Sequence, residues 1–261
     1  MGCLVSEDDN PTGKRVTNDA IARSEAQVGG EARLELAEYL ELARDLTEFG
    51  GDLVERIADA PGEPRAFHVG AIILARILTE LQACVHLVRL GYAAQAITLV
   101  ATMVEMMHSL AYIGANETRA EEWMAWDDPK NAYPGIGFSK TFAAVARSLG
   151  VKEQNVKREY ETVYREACMV KHGNPLAMAE TNVLNSGDTI LVLIGPVPSP
   201  QFAWLGHAAM QWSTRYALLA VVSFVQSYLP EEDRKALLAT AIELSNRHAR
   251  LSADSKTRGS N

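Results

Sequence analysis

The sequence predicts an all-α protein, a helical bundle around a central antiparallel helical hairpin, with one small β-hairpin inserted. Two long segments, residues 65–90 and 92–113, are apolar nearly all round, and only Gly91 separates them. Helices without a polar face belong in the centre of a bundle, and so short a connection makes them antiparallel neighbours. Residues 180–184 and 189–194 are strand-like runs on either side of the turn NSGD, which predicts the β-hairpin.

Composition and the positions of helix-breaking residues divide the chain into three parts. Residues 1–29 are polar and aperiodic and are predicted to be disordered, residues 30–251 form a single helical domain, and residues 252–261 form a polar, disordered tail. Within the domain, each helix is bounded by glycine, proline or a capping residue. Besides the central pair, the expected helices are 31–57 with Gly50–Gly51 as a kink or division, a short one capped by Asn116 or Thr118, 139–149, 153–172, 202–229 and 230–251.

Charge and cysteine usage narrow the class of protein. The formal net charge is −8 and the sequence pI is about 5.3, which argues against a broad electrostatic surface for nucleic acid but leaves room for a small basic site. The three cysteines include no CxxC pair, and Cys84 and Cys168 fall in apolar helical patterns, so we expect reduced thiols and a cytoplasmic location. Charged and polar residues interrupt the longest apolar stretches, so no transmembrane segment is predicted.

The first six residues, MGCLVS, fit the pattern for N-myristoylation. Gly2 is exposed once Met1 is removed, and Cys3 is available for a second acyl chain. The acidic residues that follow, Glu7 to Asp9, would be repelled by an anionic membrane surface. The match is either a coincidence of common residues or a lipid-anchor site, and membrane anchoring is expected only if the terminus is acylated.

The segment from Glu153 to Pro175 carries the strongest candidate site. It has the pattern of an amphipathic helix with Arg165 and His172 seven residues apart, and seven steps of about 100° return to nearly the same face. Gly173 stands where a helix C′ residue belongs, which puts His172 in the last turn. Histidine transfers protons near neutral pH and the arginine fork binds phosphate, the pair that a metal-independent ribonuclease needs. The alternative is structural, since a histidine there interacts favourably with the helix dipole and Arg165 can pair with a carboxylate.

Lone polar residues inside the two central helices predict a buried polar network of Arg76, Glu80, Glu105 and His108. At about 1.5 Å per residue, Glu80 and Glu105 lie within about one turn of the same height on either side of Gly91, so they could meet across the hairpin. Glu105 and His108 also have the spacing of a di-iron ligand unit, but a di-iron bundle needs two such units. The network is therefore preferred to a metal-binding bundle, which stays open as an alternative, and neither a metal nor a cofactor is predicted.

An arginine followed after several residues by a histidine, at the end of a helix in an all-helical bundle, resembles the HEPN superfamily. The segments ARILTE, GYAAQAITLVATMVE and YREACMVKHGNP are similar to an uncharacterised bacterial branch of it, over roughly residues 35–245. The resemblance implies a ribonuclease, toxin or defence component that acts on RNA, with His172 as general acid/base and Arg165 on the phosphate. Active members usually have a polar, often amide-bearing residue after the arginine, whereas this chain has Glu166.

The superfamily also includes non-catalytic members, so a second function stays open. A non-enzymatic interaction or scaffold module is the alternative, favoured by the acidic composition and by Glu166. In either case we expect a homo-oligomer that forms through the face of the bundle carrying His172.

Overall fold

A computed structural model describes residues 18–58, 64–125, 137–174, 183–186, 189–192, 195–196 and 200–258. The helices are α1 Asn18–Glu35, α2 Ala37–Ala58, α3 Arg65–Arg89, α4 Ala93–Ile113, α5 Glu117–Met124, α6 Phe138–Leu149, α7 Glu153–Glu159, α8 Arg165–Lys171, α9 Pro200–Tyr228 and α10 Glu231–Arg258. A π-helical turn, Tyr160–Tyr164, joins α7 to α8. In the segment where the sequence predicts a hairpin, β1 Val183–Ser186 and β2 Thr189–Val192 pair antiparallel.

The described architecture is an all-α bundle, and the antiparallel hairpin of α3 and α4 lies at its centre, as predicted. Helix α9 packs along both members of the hairpin and α2 packs on α3. The contact surfaces are apolar and fully buried, and they include Leu74, Ile77 and Leu81 on α3, Val100, Met103 and Val104 on α4, and Val221, Phe224 and Val225 on α9. Helix α4 is accordingly buried or half-buried at nearly every position, whereas α3 keeps an exposed stripe at Ile72, Arg76, Thr79, Gln82 and His86.

The turn between the two central helices is a Schellman motif. The Gly91 N–H donates to the Val88 carbonyl at 3.0 Å, and the Tyr92 N–H donates to the Leu87 carbonyl at 2.8 Å. Gly91 has a φ of 86°, which an L side chain rarely adopts. This left-handed residue reverses the chain within a single turn, so α3 and α4 become antiparallel neighbours.

By length and composition alone, α3 and α4 are long and apolar enough to cross a membrane. More than half of each apolar window is buried against other helices of the bundle, at 56 % for α3 and 61 % for α4. Core helices pass the same test, so the two helices are weak evidence for a membrane span.

The N-terminal part of the fold differs from the sequence prediction. Residues 18–29, expected to be disordered, belong to α1, and the first break comes at Leu36 while α2 runs through Gly50–Gly51. Two hydrogen bonds join helix α1 to residues far along the chain: the Ser24 hydroxyl donates to the Pro196 carbonyl, and the Tyr92 hydroxyl donates to Glu25 at 2.6 Å. Such contacts leave no apolar periodicity in the sequence.

Two further boundaries are decided by local contacts. Asn116, one of the two predicted caps, is the N-cap of α5, and its side chain accepts a hydrogen bond from the Arg119 N–H at 3.0 Å. At the other end of the chain, α10 extends to Arg258, whereas the sequence predicts a disordered tail from residue 252.

Glycine sets the distance between α3 and α9, and this yields a first prediction. A Cβ on Gly70 would lie 2.5 Å from Cε1 of Tyr228, whose hydroxyl donates to the Leu110 carbonyl and whose ring stacks on Phe224. Because that ring is held from two sides, Gly70→Ala is expected to lower the free energy of unfolding by about 1–3 kcal/mol. Urea denaturation measures the change.

The control is Gly51→Ala in α2, where a Cβ would meet nothing within 4 Å. Alanine there removes only the poor helix propensity of glycine, so the variant is expected to be as stable as the wild type or up to about 1 kcal/mol more stable. Equal stability of the two variants would contradict the close contact between α3 and Tyr228.

Candidate functional site

The C-terminal end of α8 has the geometry that the sequence predicts. The Gly173 N–H donates to the Val170 carbonyl at 3.3 Å and the Asn174 N–H donates to the Met169 carbonyl at 3.0 Å, which is a Schellman motif. Gly173 has a φ of 63°, as a C′ residue requires. His172 is therefore the C-cap, held at the surface by the hydrogen bonds of its neighbours.

Arg165 and His172 are both exposed. Arg165 is the first residue of α8, so seven residues of α-helical rise separate the two by about 10 Å along one side of the helix. Among the described residues, neither side chain has a hydrogen bond or an ion pair. In the described part of the chain Arg165 has no ion pair with a carboxylate, while His172 lies at the C-terminal end of the helix, where the structural alternative also places it.

A π-helical turn directly precedes Arg165, which the sequence did not indicate. Residues Tyr160–Tyr164 form it, and the helix continues through it from α7 into α8. The rings of Tyr160 and Tyr164 are stacked, with centroids 4.8 Å apart and planes at 19°, and both contact the ring of Phe138. Single π-helical turns occur frequently at functional sites. The only signal in the sequence is the spacing of the two tyrosines, which an ordinary helix shares.

Glu105 connects the central hairpin to this helix. Its Oε1 accepts a hydrogen bond from the Tyr164 hydroxyl at 2.7 Å and lies 3.8 Å from Nζ of Lys171. Burial raises the pKa of Tyr164, and the hydrogen bond to the Glu105 carboxylate raises it further, so the phenol stays protonated and continues to donate. The π turn and the end of α8 are thereby fixed to α4.

The four residues of the predicted network lie in three separate sets of contacts. Arg76 Nη2 is 2.5 Å from Glu80 Oε1; the Arg76 side chain is 61 % exposed and that of Glu80 is 7 % exposed. Glu105 contacts Tyr164 and Lys171, as described above, and none of its contacts among the described residues is to Glu80. Counting residues gives the position of each carboxylate along its helix. The direction in which that side chain points depends on packing against the neighbouring helices, which the count does not include.

His108 is the buried member of the predicted set, at 3 % exposure. Its Nδ1 lies 2.7 Å from the Thr141 hydroxyl, which itself donates to the Phe138 carbonyl, so Nδ1 carries the proton and donates to Thr141. Aromatic rings surround the imidazole, with that of Phe138 at 5.1 Å and that of Phe142 at 5.8 Å. Burial lowers the pKa of His108 to about 4, so the side chain is neutral at physiological pH.

Among the residues that the structure describes, no group of three or more His, Cys, Asp and Glu side chains is placed to hold a metal ion. Glu105 and His108, one turn apart on α4, make separate contacts with Tyr164 and Thr141. The candidate lipidation residues, Gly2 and Cys3, lie outside the described residues.

Comparison of the chain with protein-family models, with curated proteins and with solved structures finds no match. Only the fold and the geometry of the site are therefore left to indicate the class of protein. It is an all-α bundle with a central antiparallel hairpin that presents an exposed arginine and an exposed histidine on the last two turns of one helix.

Proposed function

We propose that this chain is a HEPN-like helical protein that binds RNA at the end of α8 and cleaves it without a metal. The observation that supports the proposal is that Arg165 and His172 are both exposed and make no hydrogen bond or ion pair with another described residue. An exposed guanidinium and an exposed imidazole without partners are free to contact a phosphate and a ribose hydroxyl. Both belong to the end of one helix, whose backbone is fixed to α4 by the Glu105–Tyr164 hydrogen bond.

The two groups suit cleavage by the neighbouring 2′-hydroxyl of RNA. His172 takes the proton from the 2′-hydroxyl, and the 2′-oxygen bonds to phosphorus as the bond from phosphorus to the 5′-oxygen breaks. The protonated His172 then returns that proton to the leaving 5′-oxygen. The products are a 2′,3′-cyclic phosphate and a 5′-hydroxyl. Arg165 binds the non-bridging oxygens of the same or the next phosphate, since about 10 Å of helix separates it from His172 and a single strand lying along α8 meets both.

The test uses purified protein and a labelled single-stranded RNA in the presence of EDTA. The wild type is expected to leave cyclic phosphate ends, and His172→Ala is expected to leave none. His86→Ala is the matched control, because His86 is also exposed but lies on α3. Cleavage that is absent from the wild type, or that is equal in wild type and His172→Ala, would show that the protein is not a ribonuclease of this kind.

A second candidate function, a non-enzymatic interaction or scaffold module, is supported by Glu166. This exposed carboxylate follows Arg165 and repels phosphate, and the whole chain has a net charge of −8. If RNA is the ligand, Glu166→Gln is expected to tighten binding of the labelled strand, whereas a protein-binding module would show no RNA binding in either form. Light scattering on the same samples tests the proposed homo-oligomer.

A further inference from the structure

A cavity of about 560 Å³ is lined by residues of five helices, α4, α6, α7, α9 and α10. Cavities that bind small molecules in proteins usually measure about 300–1,000 Å³. The cavity is therefore large enough for a small-molecule ligand, and the residues that line it indicate the chemistry of that ligand.

The larger part of the lining is aliphatic. Met107 on α4 and Val145 on α6 are buried, and Leu219 and Val222 are half-buried on α9. Ile242 on α10 also lines the cavity and is 58 % exposed. His108 also lines this part, and because its pKa is lowered to about 4 it adds no charge there. An aliphatic chain placed here would remove apolar surface from water, at about 25 cal/mol per Å².

The charged residues of the lining form one cluster, the charged end of the cavity, since Arg158 and Glu159 are neighbours on α7 and Glu159 contacts Arg215. Arg158 is exposed and has no ion pair among the described residues. Arg215 Nε lies 2.5 Å from Glu159 Oε1, yet its N–H does not point at that oxygen, so this buried Nε has no hydrogen bond. Two arginines and one glutamate leave an excess of one positive charge at this end of the cavity.

Tyr216 supplies an unused donor at the same end. Its side chain is 1 % exposed, lines the cavity and makes no hydrogen bond with another described residue. Burial raises its pKa, and the nearby Glu159 carboxylate raises it further, so the hydroxyl keeps its proton. The Tyr216 hydroxyl is therefore able to donate a hydrogen bond to a ligand or to water in the cavity.

We propose that this cavity binds an aliphatic monocarboxylate, with the carboxylate held by Arg158, Arg215 and the Tyr216 hydroxyl and the hydrocarbon chain lying along Val222 towards Met107. The excess of one positive charge matches a monoanion, and the aliphatic lining matches a hydrocarbon chain. The inference does not depend on RNA cleavage, because none of its residues is Arg165 or His172.

Decanoate, decanol and acetate test the proposal by isothermal titration calorimetry with the full chain. Decanoate is expected to bind saturably and to raise the melting temperature, whereas decanol, which lacks the charge, and acetate, which lacks the chain, are expected to bind at least about tenfold more weakly. Equal affinity for decanoate and decanol would overturn the proposed role of the arginines. No saturable binding of decanoate would overturn the site itself.

Variants locate the ligand. Tyr216→Phe keeps the ring and is expected to weaken decanoate binding about tenfold, since a hydrogen bond to a carboxylate is lost. Val222→Phe fills the space occupied by the chain and is expected to abolish binding while the melting temperature without ligand shows that the fold is kept. Arg250→Ala, an exposed arginine elsewhere on α10, is the control and should bind as the wild type does. Unchanged affinity in both Tyr216→Phe and Val222→Phe would overturn the assignment.

Discussion

Alanine at Gly91 is expected to lower the free energy of unfolding by about 2–5 kcal/mol, because it adds both backbone strain and a steric clash. The φ of 86° is unfavourable for any residue with a Cβ. In addition, a Cβ at this position would lie 2.5 Å from Cβ of Pro196 and 2.7 Å from Cγ1 of Val28. The turn of the central hairpin is thus covered by α1 on one side and by the segment before α9 on the other.

Gly150→Ala separates the two contributions. Gly150 also ends a helix with a positive φ, 65°, but a Cβ there would meet nothing within 4 Å. Gly150→Ala is therefore expected to lower the free energy of unfolding by the backbone strain alone, about 1–2 kcal/mol. Urea denaturation of the two variants gives the difference directly, and a Gly91→Ala variant no less stable than Gly150→Ala would mean that Val28 and Pro196 do not pack on the turn.

Acid is expected to destabilise the protein through His108, by about 3 kcal/mol between pH 6.5 and pH 4. The unfolded chain binds a proton at His108 near its ordinary pKa of 6.5, whereas in the folded protein burial lowers that pKa to about 4. Above pH 6.5 both states are neutral and the group has no effect. As the pH falls below 6.5, the unfolded state takes up the proton first, so stability falls until the folded pKa is reached.

The measurement is the free energy of unfolding of wild type and His108→Gln at several pH values in this range. The difference between the two proteins removes the contributions of carboxylates and of His248, whose pKa burial also lowers. Wild type is expected to lose about 1.4 kcal/mol more per pH unit than the variant. Parallel pH profiles would show that His108 is solvated or paired with a charge.

The central hairpin could be predicted because its evidence is local. Two long, mostly apolar segments require extensive burial, and one glycine between them requires a tight reversal. Burial on nearly all sides holds for α4, whereas α3 keeps one exposed stripe. The end of α8 is a similar case, since Gly173 alone indicates a C′ residue and thereby the position of His172. Helix α1 could not be predicted in the same way, because Ser24 and Glu25 hold it through hydrogen bonds to residues far along the chain.

The partners of the polar residues were also beyond prediction. Counting residues places Glu80 and Glu105 at similar heights, but the rotation of each helix about its axis follows from packing, which turns Glu105 towards Tyr164. The cavity has no continuous sequence signal either, since its walls come from five helices that are distant in the chain.

The sequence by itself determined the all-α class, the central hairpin and the glycine that makes His172 a helix cap, because each depends on the order of neighbouring residues. Only the tertiary structure decided that Arg165 and His172 stay exposed, that a π turn precedes them and that Tyr216 faces a cavity. Whether a side chain is exposed or paired depends on which residues of other helices lie next to it. Packing across the whole bundle decides those neighbours.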